Sequence, residues 1–339
     1  MSAISQGYNL SDVSKITLNN GRFAKLFEVI AEMNPIVEDV PFVPSNDGET
    51  FKSTELTGYP TTYYRMLNQG VPTSKDNEKM IRNGFAQLTN AYQVDRKLVT
   101  GTKEQIDAFM ARKDMIFTHA LMNELATTMV YGDSATDTDK FTGIEARLSV
   151  PSTDFKQAGY NLISGGGTGS DNTSIIGVIW NAEDGAFGFY PEGSQAGLKV
   201  TRYRDIEITD SGGTNKFVGH KNYYEQDAGL VVTDWHHIMR ACNIDVSDLT
   251  FNGATGANLS DLLTRLEIRV SGYAGKPVFY VNKTIYSFLT RQVKEKVGGN
   301  LGYSEVKGKR ILDWNGIPIK QLTIITNTEA TVSGTFTTD

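Results

Sequence analysis

Four groupings in this chain have residue types capable of chemistry: a glycine-rich run, an aspartate cluster, a histidine pair and a single cysteine. The run Gly165 to Ser170 invites the reading of a phosphate-cradling loop. Such a loop needs a Lys-Ser/Thr pair behind it, or a GxGxxG pattern opening a helix, and neither is present. A flexible linker is the reading left. Asp133, Asp137 and Asp139 lie in GDSATDTDKF and raise the question of calcium. An EF-type loop wants Asp-x-Asp-x-Asp-Gly and a Glu at its twelfth position, so a solvated turn is the expectation. His236 and His237 are adjacent in DWHH, and neighbouring side chains leave a helix or strand in different directions. With only His119 and His220 besides, they read as surface or helix-end histidines. Cys242 sits in the apolar stretch MRACNI, where a thiol packs as a small hydrophobe. No GxSxG elbow supplies a nucleophile, and nothing in the sequence pairs any two of the 39 acidic residues as acid and base. The expectation is a protein with no active site, cofactor or metal.

Composition narrows the partners. At 339 residues the chain suffices for one large domain or two ordinary ones. Its formal charge of −6 is spread out with no Lys/Arg block, which argues against direct affinity for nucleic acid. A mild acidic excess also keeps a self-associating chain soluble. No apolar run approaches the ~20 residues that cross a bilayer, so no membrane partner is expected. The start MSAISQGYNLSDVSK lacks a basic region followed by an apolar core, and does not read as a secretory leader. With Cys242 as the only cysteine, no intrachain disulfide can form.

The elements that must position any functional residue follow from periodicity. Arg22 to Met33 has helical spacing and stops at Asn34-Pro35. Asn34 to Val99 is then too long and too poor in apolar residues to be an ordinary loop. Within it, Gly48 to Thr57 and Tyr63 to Leu67 read as strands, and Met80 to Val99 as an alternating return leg. This is the pattern of a β-arm that must rest on another molecule. Lys103 to Tyr131, capped at Thr102, has neither Pro nor Gly and carries Phe109, Met110, Ala120, Leu121 and Leu125 on one stripe. Pro151 to Thr233 is rich in short strands: 174–180, 186–190, 201–208, 216–224 and 229–233. Trp235 to Cys242 reads as a short helix, Leu259 to Ile268 and Thr284 to Val297 as helices, and Pro277 to Val281 as a strand. Arg310 to Lys320 is a hairpin turned at Asn315-Gly316, followed by a strand over Leu322 to Thr326.

In this order the elements resemble the major capsid proteins of tailed bacteriophages with the Hong Kong 97-type fold. The segment from Tyr63 to Val71 (YYRMLNQGV) resembles the family's aromatic-x-x-x-Glu-Gly stretch, with Gln69 where many relatives have Glu. The run AYQVDRKLV is similar to the lead into the family's spine helix, and Tyr131-Gly132-Asp133 with Phe141-Thr142-Gly143 to its exit. The strand PVFYVN and the late Gly316-Ile317-Pro318 also fit. NPIVEDVPF, YPEGSQAGL and GLVVTDWHHIMRACNID are similar to short-tailed phage capsid proteins in particular.

The resemblance implies an α+β, Hong Kong 97-like capsid fold. Residues 1–41 would be an N-terminal arm and 42–95 a long β-hairpin, the E-loop. Residues 96–150 would be the spine helix and peripheral domain, and 151–233 a β-rich insertion or an enlarged axial domain. Residues 234–339 would be the axial domain with return strands of the peripheral one. The implied function is self-assembly into an icosahedral virion shell around double-stranded DNA, built in the host cytoplasm from pentamers and hexamers. Scaffolding and portal proteins are implied partners, and a decoration protein is a further candidate; DNA would be enclosed without sequence-specific binding. Lys52, Glu55, Tyr64, Arg65, Gln69, Lys75, Asp76 and Lys79 become the expected intersubunit contacts of the E-loop. Some relatives crosslink an E-loop Lys to an Asn; Lys52 and Lys75 are considered for this, and the sequence offers them no supporting carboxylate. An encapsulin-type compartment and a phage tail or decoration protein are the alternatives.

Overall fold

Nine consecutive residues, Asn172 to Trp180 (NTSIIGVIW), are all buried, as expected of a strand covered on both faces. The chain is organised around such strands. The computed structural model describes residues 34–99, 103–194, 197–209, 214–250, 256–270, 272–294, 301–306 and 309–337. The expected helix at 22–33, the Thr102 cap and most of the expected N-terminal arm lie outside these residues.

In chain order the elements begin with α1 (Ile36–Asp39), β1 (Phe42–Pro44), β2 (Phe51–Gly58), β3 (Asn77–Asn83), β4 (Ala86–Asp95) and the long helix α2 (Lys103–Tyr131). A turn of helix α3 (Ile144–Arg147) leads to β5 (Leu162–Ser164), β6 (Asn172–Trp180), β7 (Ala186–Tyr190), β8 (Lys199–Thr209) and β9 (Lys216–Val232). The last part holds β10 (Ile238–Asp245), α4 (Leu259–Val270), β11 (Lys276–Val281), α5 (Lys283–Lys294), β12 (Leu301–Val306), β13 (Lys309–Trp314) and β14 (Ile317–Gln321). They divide into two compact units. Among the described residues, one takes those within 87–125 and 197–227, the other those within 34–86, 126–194 and 228–337.

In the larger unit β6 lies between β10 and β11, antiparallel to both. Beyond β10 comes β5, in parallel, and beyond β11 come β14, β13 and β12. The apolar stripes of α4 (Leu259, Leu262, Leu263, Leu266) and α5 (Ile285, Leu289) pack on Ile175, Met239, Phe279 and Leu312 of this sheet. The β13–β14 hairpin turns as expected at Asn315 (φ 48°) and Gly316 (φ 86°), the left-handed pair that a two-residue hairpin loop requires. A second patch joins β7 to β1 in parallel and to the end of β9 antiparallel, around Phe187, Phe189 and Val231.

In the smaller unit, β8 pairs with β9, and β4 lies on the other side of β9. Tyr92, Val94, Tyr224 and the helix residues Phe109, Met110 and Leu121 form its core. At ~1.5 Å per residue the whole 29-residue helix is about 43 Å long.

Several local expectations are overturned. Residues 235–237 make one 3-10 turn, and the rest of the expected helix at Trp235 to Cys242 belongs to the strand β10, buried throughout. Strand partners on both edges outweigh its weak helical spacing. Leu322 to Thr326 is a turn, with Ile325 N–H bonded to Leu322 O at 3.4 Å. The strands expected at 216–224 and 229–233 are one strand of 17 residues. Inward Tyr224, Gln226 and Ala228 alternate with half-buried Glu225 and Asp227, so the charges never break the period. Ala120 faces solvent off the helix stripe. Gly165 to Ser170 is no loose linker: Gly165 N–H meets Cys242 O at 2.7 Å and Gly167 N–H meets Asn243 O at 2.8 Å. A Cβ on Gly167 would come within 2.7 Å of Asp245 N, so glycine is required by close approach. Within the stretch 151–233, β5 to β7 lie in the larger unit and β8 in the smaller.

Candidate assembly surface

The arm Asn34 to Val99 divides at Gly84-Phe85. β4 leaves it, with Tyr92 and Val94 in a core, while β2 and β3 stay paired as a two-stranded sheet from Phe51↔Asn83 to Gly58↔Asn77. The expected strand at Tyr63 to Leu67 has no regular structure, and β2 starts at Phe51 rather than Gly48. The arm proper is therefore 51–83, about 25 Å of ribbon plus a tip.

A lone two-stranded ribbon is marginal in water, so its base must be held. Phe51 packs edge-on against Phe187 at 5.1 Å and against Phe189 at 5.8 Å between ring centres. Asn46 acts like a neighbouring strand: Oδ1 accepts from Lys52 N–H and Nδ2 donates to Lys52 O, both at 2.8 Å. Arg147 Nη2 donates to Asn83 Oδ1 at 2.8 Å and to Leu230 O at 3.1 Å. Burial pulls the Arg147 guanidinium down to about 10. At the far end, Ser74 Oγ donates to Thr61 O at 3.0 Å and ties the two legs of the tip. Asn68, at φ 68°, closes a turn in which Gln69 N–H reaches Met66 O at 3.3 Å.

The tip leaves its apolar residues in water. Tyr59 is 85% exposed, Tyr64 fully so, Met66 73% and Leu67 91%, with Tyr63 and Val71 about half exposed. Of the expected contact residues, Tyr64, Arg65, Gln69, Lys75, Asp76 and Lys79 are exposed. Glu55 is half-buried and stands opposite Lys79 in register. Lys52 is half-buried, with its Nζ 2.5 Å from Asp47 of the same arm base.

Two polar centres are invisible in the sequence. Buried Arg240 of β10, 1% exposed, holds Glu145 at 2.8 Å and Glu329 at 2.9 Å, both through Nη2. Glu329 Oε1 also accepts from Tyr131 Oη at 2.7 Å and Ser174 Oγ at 3.0 Å. Burial would lower the Arg240 pKa, but Glu329 and Glu145 outweigh it and hold the guanidinium above its usual value. Burial pushes the Glu145 carboxyl up, with Arg240 pulling the other way incompletely. These two carboxylates are spent on one arginine.

In the smaller unit, Asp114 accepts from Tyr92 Oη at 3.0 Å, Tyr224 Oη at 2.5 Å, and Asn222 Nδ2 and Arg202 Nη2 at 2.8 Å. Partial burial pushes its carboxyl up, but these donors prevail and hold it below the usual range. A cleft of about 250 Å³ opens beside it, and there Arg204 meets Asp107 at 2.6 Å. The cleft's charges cancel in pairs.

The histidines and the cysteine fall elsewhere. His236 stacks between Trp235 and Tyr273, with Nδ1 2.5 Å from Asp234, whereas His237 is buried rather than at the surface. Cys242 is buried, and burial pushes its thiol up to about 12. The three aspartates after α2 make a turn, with Asp133 Oδ1 accepting from Ala135 N–H at 3.0 Å. Among the described residues no group of three or more His, Cys, Asp or Glu is placed to hold a metal ion.

An arm with a water-exposed apolar tip, carried on a mixed body with a long helix, is the build of a subunit meant to be one of many. The profile of the family described as major capsid protein GP7 matches residues 19–333. The chain belongs to that family. It is a shell-forming major capsid protein and a component of the virion capsid. A chain of the bacteriophage Epsilon15 structure is 29% identical, with a TM-score of 0.78 over 98% of this chain and 100% of that one. The expected Hong Kong 97-like fold is thereby established. The JBD30 bacteriophage capsid chain is 10% identical with a TM-score of 0.43, covering 89% of this chain and 95% of that one. An encapsulin from Synechococcus elongatus is 9% identical with a TM-score of 0.43, covering 72% and 97%. No curated protein matches this chain by sequence.

Proposed function

We propose that the arm 51–83 is the element by which one capsid subunit grips the next, in the manner of the family's E-loop. The observation that carries this is the exposed apolar run from Tyr59 to Val71. A side chain like Leu67 forfeits roughly 1.5–3 kcal/mol by staying in water, and contiguous exposure of this kind marks an interaction site. Tyr64, Met66 and Leu67 supply the apolar centre, with Gln69 beside them. Arg65, Lys75, Asp76, Lys79 and Glu55 supply the charged rim that sets orientation more than affinity. Lys52 works inside its own subunit. The base contacts at Phe51, Asn46 and Asn83 set the angle at which the arm leaves the body.

On this reading residues 1–41 act as the N-terminal arm, 96–150 as spine helix and peripheral domain, and 234–339 mainly as axial domain. Residues 151–233 contribute strands to both units. Pentamers and hexamers close an icosahedral shell, in which individually weak contacts add because each is repeated by symmetry. A scaffolding protein, a portal, enclosed double-stranded DNA and a decoration protein are the partners, with assembly in the host cytoplasm. The formal charge of −6 suits a wall that encloses DNA without gripping it.

The test is a chain in which residues 56–78 are replaced by a two-residue turn, leaving the base intact. It is expected to fold as a subunit and to form no closed particles under negative-stain microscopy, with or without a co-expressed scaffold. Closed particles from this chain would overturn the proposal.

A further inference from the structure

The described residues after Ile325 form no helix or strand, yet they run along the larger unit held at regular intervals. Thr326 N–H donates to Tyr131 Oη at 3.1 Å. Glu329 N–H donates to Asn172 O at 3.0 Å, and Asn172 Nδ2 reaches Thr331 Oγ1 at 2.9 Å. Asn243, at φ 55° where the β10 register shifts, turns its amide outward to meet both backbone groups of Val332. Nδ2 donates to the carbonyl at 2.8 Å and Oδ1 accepts the N–H at 2.9 Å. Arg265 Nη2 donates to Thr337 O at 2.9 Å.

The segment's own residues in these contacts lie mostly at or near the surface, although Asn172 and Asn243 beneath them are buried. Among the described residues beyond Ile325, only Glu329 is buried. Its carboxylate is where this segment reaches deepest, meeting Arg240, Tyr131 and Ser174 at once, while the half-buried Asn327 side chain bonds Asn282 and Thr284 beside it. The first three belong to β10, to the last residue of α2 and to β6. Arg240 Nε and Nη1 have no acceptor among the described residues, so the guanidinium's polar contacts converge on Nη2. Glu145 takes the other share of that nitrogen without touching the segment.

We propose that residues 326–337 are a releasable strap, latched at Glu329, that clamps the end of the long helix to the central strands of the larger unit. The body beneath is complete without it, since the apolar core of α4, α5 and the sheet includes no strap residue. Opening the latch therefore frees the strap and the helix end while the sheet stays closed. In a shell subunit, such a device sets how stiffly the helix end is tied to the sheet.

Hydrogen exchange on the full-length protein tests this with Glu329→Gln, which keeps the shape and removes the charge. The amides of Thr326, Glu329 and Val332 are expected to exchange on the order of tenfold faster or more, since a charged hydrogen bond at a buried site is lost. The amides of β6 and β11 are expected to keep their protection. Glu145→Gln, which alters the other partner of Arg240, is expected to leave the three strap amides protected. Unchanged strap protection in Glu329→Gln would refute the latch. Equal release by Glu145→Gln, or loss of protection across the sheet, would refute it as well.

Discussion

Leu67→Ser is the sharpest probe of the arm. Leu67 is 91% exposed in the subunit, so the change removes nothing that the folded chain uses. If Leu67 is buried on a neighbour, the contact gains roughly 1.5–3 kcal/mol from transfer and loses roughly 0.5–1 kcal/mol in side-chain ordering. The net is about 1–2 kcal/mol for each arm seated. Each subunit seats one arm, so the loss acts once per subunit on the free energy of joining the shell. At 1.4 kcal/mol per factor of ten, the critical concentration for assembly should rise about 5- to 30-fold. Light scattering against protein concentration measures that threshold directly, and sedimentation confirms the species. The melting midpoint of unassembled subunits should stay within the scatter of ordinary surface substitutions, about ±0.5 kcal/mol. An unchanged assembly threshold would refute the reasoning, and so would a large fall in subunit stability.

Asp114→Asn should destabilise the subunit by about 2–3 kcal/mol in denaturant titrations, because two tyrosines and an arginine lose a charged acceptor. The native Asp114 carboxyl is held below its ordinary value of 3.8. Its contribution is therefore complete above that value and is lost as pH falls through the lower native one; the variant should lack this acid limb. Glu145 has the opposite sign. Burial raises its carboxyl above 4.5, so the native state prefers it protonated and stability declines as pH rises through that range. Glu145→Gln should flatten that limb in a stability-against-pH series, and an unaltered limb would show that another group causes it. Cys242, with its thiol raised to about 12 and buried, should resist a maleimide at pH 8 in native protein and react at once in denaturant. Rapid native labelling would contradict its placement in β10.

How much of the molecule was legible depended on how far apart the deciding residues lie. The long helix needed only its own 29 residues, free of Pro and Gly. The Asn315-Gly316 turn and the leucine stripe of α4 are equally local. The arm was legible through what it lacks, an apolar period dense enough to make a core, but its limits were not. Nothing near Gly84 announces that β3 stays in the ribbon while β4 joins a different sheet. Trp235 to Cys242 shows the same limit. Its short apolar run fits helix or strand, and pairing with β5 and β6 decides for strand. The exposure of the tip residues follows from the polar pattern, whereas the Lys52–Asp47 ion pair does not, because it depends on how the arm base folds back.

The sequence by itself determined the kinds of element, their order, and an arm too poor in apolar residues to be self-sufficient. Those properties reside in spacings of two to four residues, where side chains on one strand or helix already meet. Only the tertiary structure decided which charges are spent inside the subunit. Arg240 gathers Glu145 from 95 positions away and Glu329 from 89, and Glu329 reaches Tyr131 across 198. No local period encodes such a meeting. It arises because a buried guanidinium must find carboxylates, and the packing of the strands alone sets which ones lie within reach.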